Sequence, residues 1–103
     1  MDHYYQLTYS VKPRAEDGEL AAQRVRKAMK EDSAWDSLRD IETTVVSVLT
    51  LDEKTEDEKR EEAKKLISER IKDIMESSEA YHDVDVYASL MVDQLGPHIE
   101  FKV

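Results

Sequence analysis

Residues 55–75, TEDEKREEAKKLISERIKDIM, decide the fold. The stretch opens with Thr55-x-x-Glu58, a capping box in which hydroxyl and carboxylate each satisfy one of the first free N–H groups of a helix. Ala63, Leu66, Ile67, Ile71, Ile74 and Met75 then recur at helical spacing, with Glu, Lys and Arg between them. This spacing predicts a helix of about 20 residues and about 30 Å, with one face turned to a core. Two acid-first pairs, Glu56 with Arg60 and Glu61 with Lys65, each add a few tenths of a kcal/mol at i,i+4 spacing. Ser77-Ser78 ends the helix.

Downstream, Val84, Val86, Ala88, Leu90 and Val92 alternate with Asp85, Tyr87, Ser89, Met91 and Asp93. Strict alternation is the signature of a half-buried strand. Gln94-Leu95-Gly96-Pro97 reads as a turn. Ile99, Phe101 and Val103 against Glu100 and Lys102 give a last short strand. Upstream, Thr43–Leu51 is a strand with Val45, Val46, Val48 and Leu49 on both faces, the pattern of a strand covered at least partly on both sides.

Residues 4–12 form another alternating strand. Tyr5, Leu7, Tyr9 and Val11 point one way, and Tyr4, Gln6, Thr8, Ser10 and Lys12 the other. Pro13 ends it by removing a ladder donor. Asp17 is the expected N-cap of a helix running to about Lys30, with Glu19 in its first turn. Ala21, Val25, Ala28 and Met29 form its apolar stripe.

Residues 31–42 support two readings. Asp32-Ser33 is a break. Trp35, Leu38 and Ile41 suit a helical turn, whereas Trp35, Ser37, Arg39 and Ile41 would share a strand face.

The elements predict a single α+β domain over residues 1–103, built as a two-layer sandwich of helices on one sheet. With a strand near residues 34–41, the preferred reading, the core is the ferredoxin-like βαββαβ unit plus an extra C-terminal strand. With a helical extension the order becomes βαβαββ, with right-handed crossovers.

Composition narrows the function classes. The 103 residues are 40% hydrophobic and 38% charged, with two Gly and two Pro, which favours regular elements and short connections. No run approaches the roughly 20 apolar residues of a membrane span, and Met-Asp-His-Tyr-Tyr does not start a signal peptide, so no membrane partner is expected. Cysteine is absent, which excludes a disulfide framework and thiolate metal sites and fits a cytoplasmic location. The net charge is −9; residues 1–51 carry 9 acidic and 7 basic side chains, and residues 52–103 carry 15 and 8. That balance opposes non-specific nucleic-acid binding, which needs clustered Lys and Arg. Arg24, Arg26, Lys27 and Lys30 are the local exception, and a charged helix face is usually solvated.

His82, Asp83 and Asp85 are the candidate metal ligands, because Mg²⁺ or Mn²⁺ takes one or two carboxylates with waters and substrate phosphates. The alternative is a polar loop entering a strand. His3, His82 and His98 lie near strand ends without a helical His pair, so zinc spacing is not evident. The run Asp52, Glu53, Glu56, Asp57, Glu58, Glu61, Glu62 offers a surface for a basic partner, with Glu53, Glu56, Asp57 and Glu61 as contacts; the plain reading is helix N-terminal charge. No Gly-x-Ser-x-Gly elbow or glycine-rich phosphate loop occurs, and no cofactor is implied. Sheet tyrosines can stack on bases, yet Tyr5 and Tyr9 share the apolar face and fit a core, and the aromatic box of an RNA-recognition motif is missing.

The layout of strand one, helix one, Trp35, Glu42-Thr43-Thr44-Val45-Val46, a long helix and Val84-Asp85-Val86-Tyr87 resembles small ferredoxin-like nucleases and regulators. These are the GhoS-type antitoxin endoribonucleases and the small CRISPR-associated ferredoxin-like proteins. In the latter the resemblance implies a metal-binding acid at the end of the first strand, where this chain has Ser10-Val11-Lys12. It also implies homodimers formed through sheet edges, for which Ile99, Phe101 and Val103 are the edge residues here.

The sequence therefore predicts a small acidic cytosolic protein that acts by protein–protein interaction or regulation, with a protein partner or itself, and without evident catalysis. The alternatives are a metal-dependent endoribonuclease of the ferredoxin-like type and a DNA mimic that binds a basic partner.

Overall fold

A computed structural model describes residues 2–38 and 40–103. The elements run β1 (Asp2–Pro13), a short 3-10 turn (Glu16–Gly18), α1 (Glu19–Glu31), β2 (Asp36–Leu38), β3 (Ile41–Thr50), α2 (Glu56–Ser77), β4 (Val84–Val92) and β5 (Ile99–Lys102). The strands form one five-stranded sheet in the order β2-β3-β1-β4-β5. Each neighbouring pair is antiparallel. The molecule is thus α+β with helices on one side of the sheet.

β1 is central, and its register fixes which residues share a face. Leu7 lies opposite Val45 on β3 and Leu90 on β4. These three are fully buried, as are Val25 and Met29 of α1 and Ile71 and Met75 of α2. The core is the layer between this face and the helices. Burying each such side chain contributes about 1.5–3 kcal/mol relative to exposure.

The α2 boundaries follow the capping box. The Glu58 N–H donates to the Thr55 hydroxyl at 3.2 Å, and that hydroxyl donates to the Glu58 carboxylate at 2.7 Å. At the other end Glu79 adopts φ 56°, and the Ala80 N–H reaches back to the Met75 carbonyl at 3.0 Å, which satisfies a carbonyl left free by the helix end. Ala63, Ile67, Ile71, Ile74 and Met75 are buried as the spacing predicts. Leu66 is a correction: it is 37% exposed, because it sits on the flank of the stripe.

α1 also differs at its start. Asp17 lies within the 3-10 turn, and Gly18 occupies the N-cap position without a side-chain cap bond. A Cβ at Gly18 would lie 3.0 Å from the Pro13 Cβ and 3.2 Å from the Asp83 carbonyl oxygen, so close backbone packing selects glycine over a capping side chain.

The ambiguous stretch resolves as a turn and a three-residue strand. The Asp32 carboxylate accepts from the Ala34 N–H at 2.8 Å and from the Arg70 guanidinium of α2. Trp35 is buried and donates through Nε1 to the Met29 carbonyl at 2.6 Å. β2 then pairs with β3, with a register shift between Ser37 and Leu38. Ile41 is 53% exposed, and Arg39 lies outside the described residues. The helical alternative for this segment is not what forms.

β3 is covered on both faces, more fully on one than on the other. Val45 is fully buried beneath the helices, but Val48, on the other face, is 44% exposed. On the same face Thr44 is buried and Val46 half-buried, so the apolar exposure is confined to the end of the strand at Val48.

Candidate functional site

The three candidate metal ligands sit where β1 ends and β4 begins. β4 starts at Val84, so Asp83 precedes the strand and does not share the face of Asp85. Arg14 organises the region. Its N–H donates to the Asp83 carbonyl at 2.9 Å, its Nε to the Asp85 carboxylate at 2.8 Å, and its Nη1 to the His82 carbonyl at 3.2 Å. Lys102 Nζ lies 4.0 Å from the same Asp85 oxygen. The His82 ring stands edge-on to Tyr81, with centroids 5.1 Å apart. Asp85 is thus an acceptor between two cations, a setting that disfavours a third. No three of the described His, Asp and Glu residues form a group able to hold a metal ion. His82, Asp83 and Asp85 are neighbours that are not gathered into one site.

The other histidines are apart from them. His98 lies 3.8 Å from Glu100. His3 is buried, and its Nδ1 donates to the Asp93 carbonyl at 3.1 Å. Its Nε2 has no hydrogen-bond partner.

The acidic run behaves differently. Glu53, Asp57, Glu58, Glu61, Glu62 and Glu69 line an open depression of about 720 Å³ together with Lys65 and Leu66. The helical repeat from Glu58 through Glu62 to Leu66 and Glu69 builds it. The connection before the helix is folded onto it, since the Glu62 carboxylate accepts from the N–H groups of Asp52 at 2.9 Å and Glu53 at 3.1 Å. Glu58 pushes the Glu53 carboxyl above its usual range, by hydrogen bonding and by charge. The Thr55 hydroxyl, then Glu53, holds Glu58 below it. Glu56 points elsewhere, toward the turn at Gly96, where Arg60 donates to the carbonyls of Leu95 and Pro97. Glu53, Asp57 and Glu61 are brought together as the sequence suggests, and Glu56 is not. The sequence reading missed Leu66 as an exposed apolar residue amid the acids, because it matched the core stripe.

The basic residues of α1 are partly consumed inside the molecule. Arg24 donates to the Ser78 carbonyl at 3.0 Å, and Arg26 to Glu19 at 2.6 Å and to the Val11 carbonyl at 2.8 Å. Lys27 and Lys30 line a shallow depression with Tyr9, Glu31, Glu42 and Thr43.

The edge residues face inward. Ile99 and Phe101 pair in register with Leu90 and Ala88 of the buried face, and both are half-buried against the core with Val103. Main-chain bonds between Val86 and Val103, at 2.9 and 3.2 Å, extend the pairing. The apolar side chains of this strand close the core, and β5 remains an edge strand of the sheet.

The uncovered sheet face is the remaining feature. Tyr4 is 74% exposed, Met91 52% and Tyr87 45%. Tyr5 and Tyr9 are buried on the opposite face, as their alternation predicts. No described helix is long and apolar enough to cross a membrane. No family model matches the chain, and neither a curated protein nor a solved structure is significantly similar to it.

Proposed function

We infer that this chain is a small, acidic, cytoplasmic regulatory protein of ferredoxin-like topology that works by protein contact, through the acidic surface of α2, on a basic protein partner. The observation that carries this reading is the depression lined by Glu53, Asp57, Glu58, Glu61, Glu62 and Glu69 around Leu66. An exposed apolar side chain ringed by carboxylates supplies a contact that excludes water and a field that selects cations. The shifted pair Glu53 and Glu58 supports it further. The charge of Glu58 disfavours ionisation of Glu53, and a Lys or Arg from a partner opposes that effect. The element order and the strand order β2-β3-β1-β4 support the ferredoxin-like assignment, with β5 added at one edge. The absence of cysteine supports the cytoplasmic one.

Asp57 and Glu61 make no capping bond to the preceding connection and are suited to reversal. Affinity capture from cell extract, with wild type and the double variant Asp57→Lys, Glu61→Lys side by side, tests the reading. A basic protein retained by wild type, lost from the variant and eluted by moderate salt is the expected outcome. Equal retention by both chains, or retention insensitive to salt, contradicts it.

A further inference from the structure

The uncovered face of the sheet is polarised. At one end, the C-terminal end of β1, stand Lys12, Arg14 and Lys102, with Asp85 held among them; the Lys12 ammonium lies 5.7 Å from the Tyr87 ring centroid. At the other end β1 begins with Asp2, which accepts from Thr50 at 2.6 Å, and Asp93 follows β4 beside Tyr4, donating its N–H to the Tyr4 carbonyl at 2.9 Å. Exposed Tyr4, Val48 and Met91 lie at this acidic end. Between the ends runs a row of hydroxyls. Thr44 and Ser89 flank Thr8 in register, the Thr8 and Thr44 oxygens are 3.3 Å apart, and of the three only Thr44 is already buried in the single chain.

We propose that this face is covered by a second copy of the chain, the two sheets packing face to face about a two-fold axis that crosses the strands at the Thr44–Thr8–Ser89 row. Such an axis turns each molecule end for end. It sets the basic end of one copy on the acidic end of the other, and repeats that match by symmetry. Lys12 then meets Tyr4 and Asp93 of the second copy, and Tyr87 meets Met91. An axis along the strands would instead stack the two basic ends on each other.

Three further observations favour a second copy as the occupant. β3 carries the sequence pattern of a strand apolar on both faces, yet Val48 is exposed in the single chain; a second sheet supplies the missing cover. The chain carries −9, and the acidic run of α2 lies away from this face. Packed sheets lie about 10 Å apart, which leaves both acidic α2 surfaces on the outside, separated by several screening lengths of about 8 Å. The area is sufficient. The panel over β3, β1, β4 and β5 measures roughly 30 Å by 15 Å, and covering it on both copies removes on the order of 1,000 Å², the lower bound for specific association. The dimer is therefore reversible. Aligned sheets cross at about 30°, which carries Glu100, at the rim, away from its own counterpart.

This surface is separate from the α2 depression, so either inference can fail without the other. The test is sedimentation equilibrium of the full chain across a concentration series. Wild type is expected to dimerise reversibly, more weakly at high salt. Met91→Glu, at an exposed position that leaves the core intact, is expected to be monomeric. Lys12→Glu and Asp93→Lys are each expected to be monomeric alone and to form a dimer when mixed, because only the mixed pair restores opposite charges at both ends. A monomeric wild type at hundreds of micromolar overturns the proposal. So does dimerisation of Met91→Glu equal to wild type, or failure of the charge-reversed pair to associate. RNA or another protein held on this face by a monomeric chain overturns it equally.

Discussion

Trp35 donates its indole N–H to the main-chain carbonyl of Met29 at 2.6 Å, with both residues buried. That carbonyl belongs to the last turn of α1, whose final carbonyls have no partner within the helix. The indole satisfies that helix end from outside the helix, and its ring belongs to the buried core. Trp35→Phe keeps most of the ring and removes the donor. It leaves a buried carbonyl unpaired, a loss of about 1–3 kcal/mol. Urea unfolding followed by circular dichroism is expected to show a lower midpoint with unchanged slope. An unchanged midpoint would show that the bond contributes nothing.

Ile71 and Leu66 are both in the apolar register of α2, but Ile71 is fully buried and Leu66 is 37% exposed. Ile71→Ala is expected to cost about 2–5 kcal/mol through lost transfer and a residual cavity. Leu66→Ala is expected to stay within about 0.5–1 kcal/mol while weakening partner capture. Equal destabilisation by the two would place Leu66 in the core.

Gly96 has φ +79°, and a Cβ there would lie 2.9 Å from the Glu56 carboxylate. Gly96→Ala meets a left-handed backbone, and the flexible end of Glu56 must swing aside. The expected loss is above about 1 kcal/mol, visible as a fall in Tm. A Tm at or above wild type would show that the turn does not need this conformation.

Burial pushes the phenols of Tyr5 and Tyr9 above their ordinary value. Both stay neutral in the fold at pH values where the unfolded chain has begun to ionise. The unfolded state then binds fewer protons, so stability is intact below about pH 10 and falls as pH rises beyond it. The double variant Tyr5→Phe, Tyr9→Phe is expected to be weaker at neutral pH, since the Tyr9 hydroxyl bonds the Glu42 carbonyl at 3.3 Å. Its stability is expected to decline less between neutral and alkaline pH. Parallel decline in both proteins would show that these phenols do not drive the alkaline loss.

Much of the fold is legible where a local signal is long enough. The Thr55–Glu58 box and the Ser77-Ser78 stop place α2 within a residue of its ends, and alternation in β1 and β4 gives both the strands and their buried faces. β2 lies inside the strand preferred near residues 34–41 but is only three residues long, too few for alternation to separate it from a helical turn. Trp35 is buried by a bond to Met29 rather than by a strand face. The candidate site divides in the same way. Glu53, Asp57 and Glu61 gather because helical spacing gathers them. The fate of Asp85 depends on Arg14, 71 positions away, which no local pattern encodes. Leu66 reads as core because a flank position at i−1 of Ile67 fits the stripe nearly as well as its centre does.

Both proposed surfaces depend on the sheet being covered on one side and bare on the other. The chain has no cysteine, so single cysteines report this directly. Thiol labelling rates at high dilution, measured on Gln6→Cys, Leu7→Cys, Thr8→Cys and Val45→Cys, are expected to alternate: fast at 6 and 8, slow at 7 and 45. Uniform rates, or fast labelling at Leu7→Cys and Val45→Cys in folded protein, would contradict the architecture and both surfaces with it.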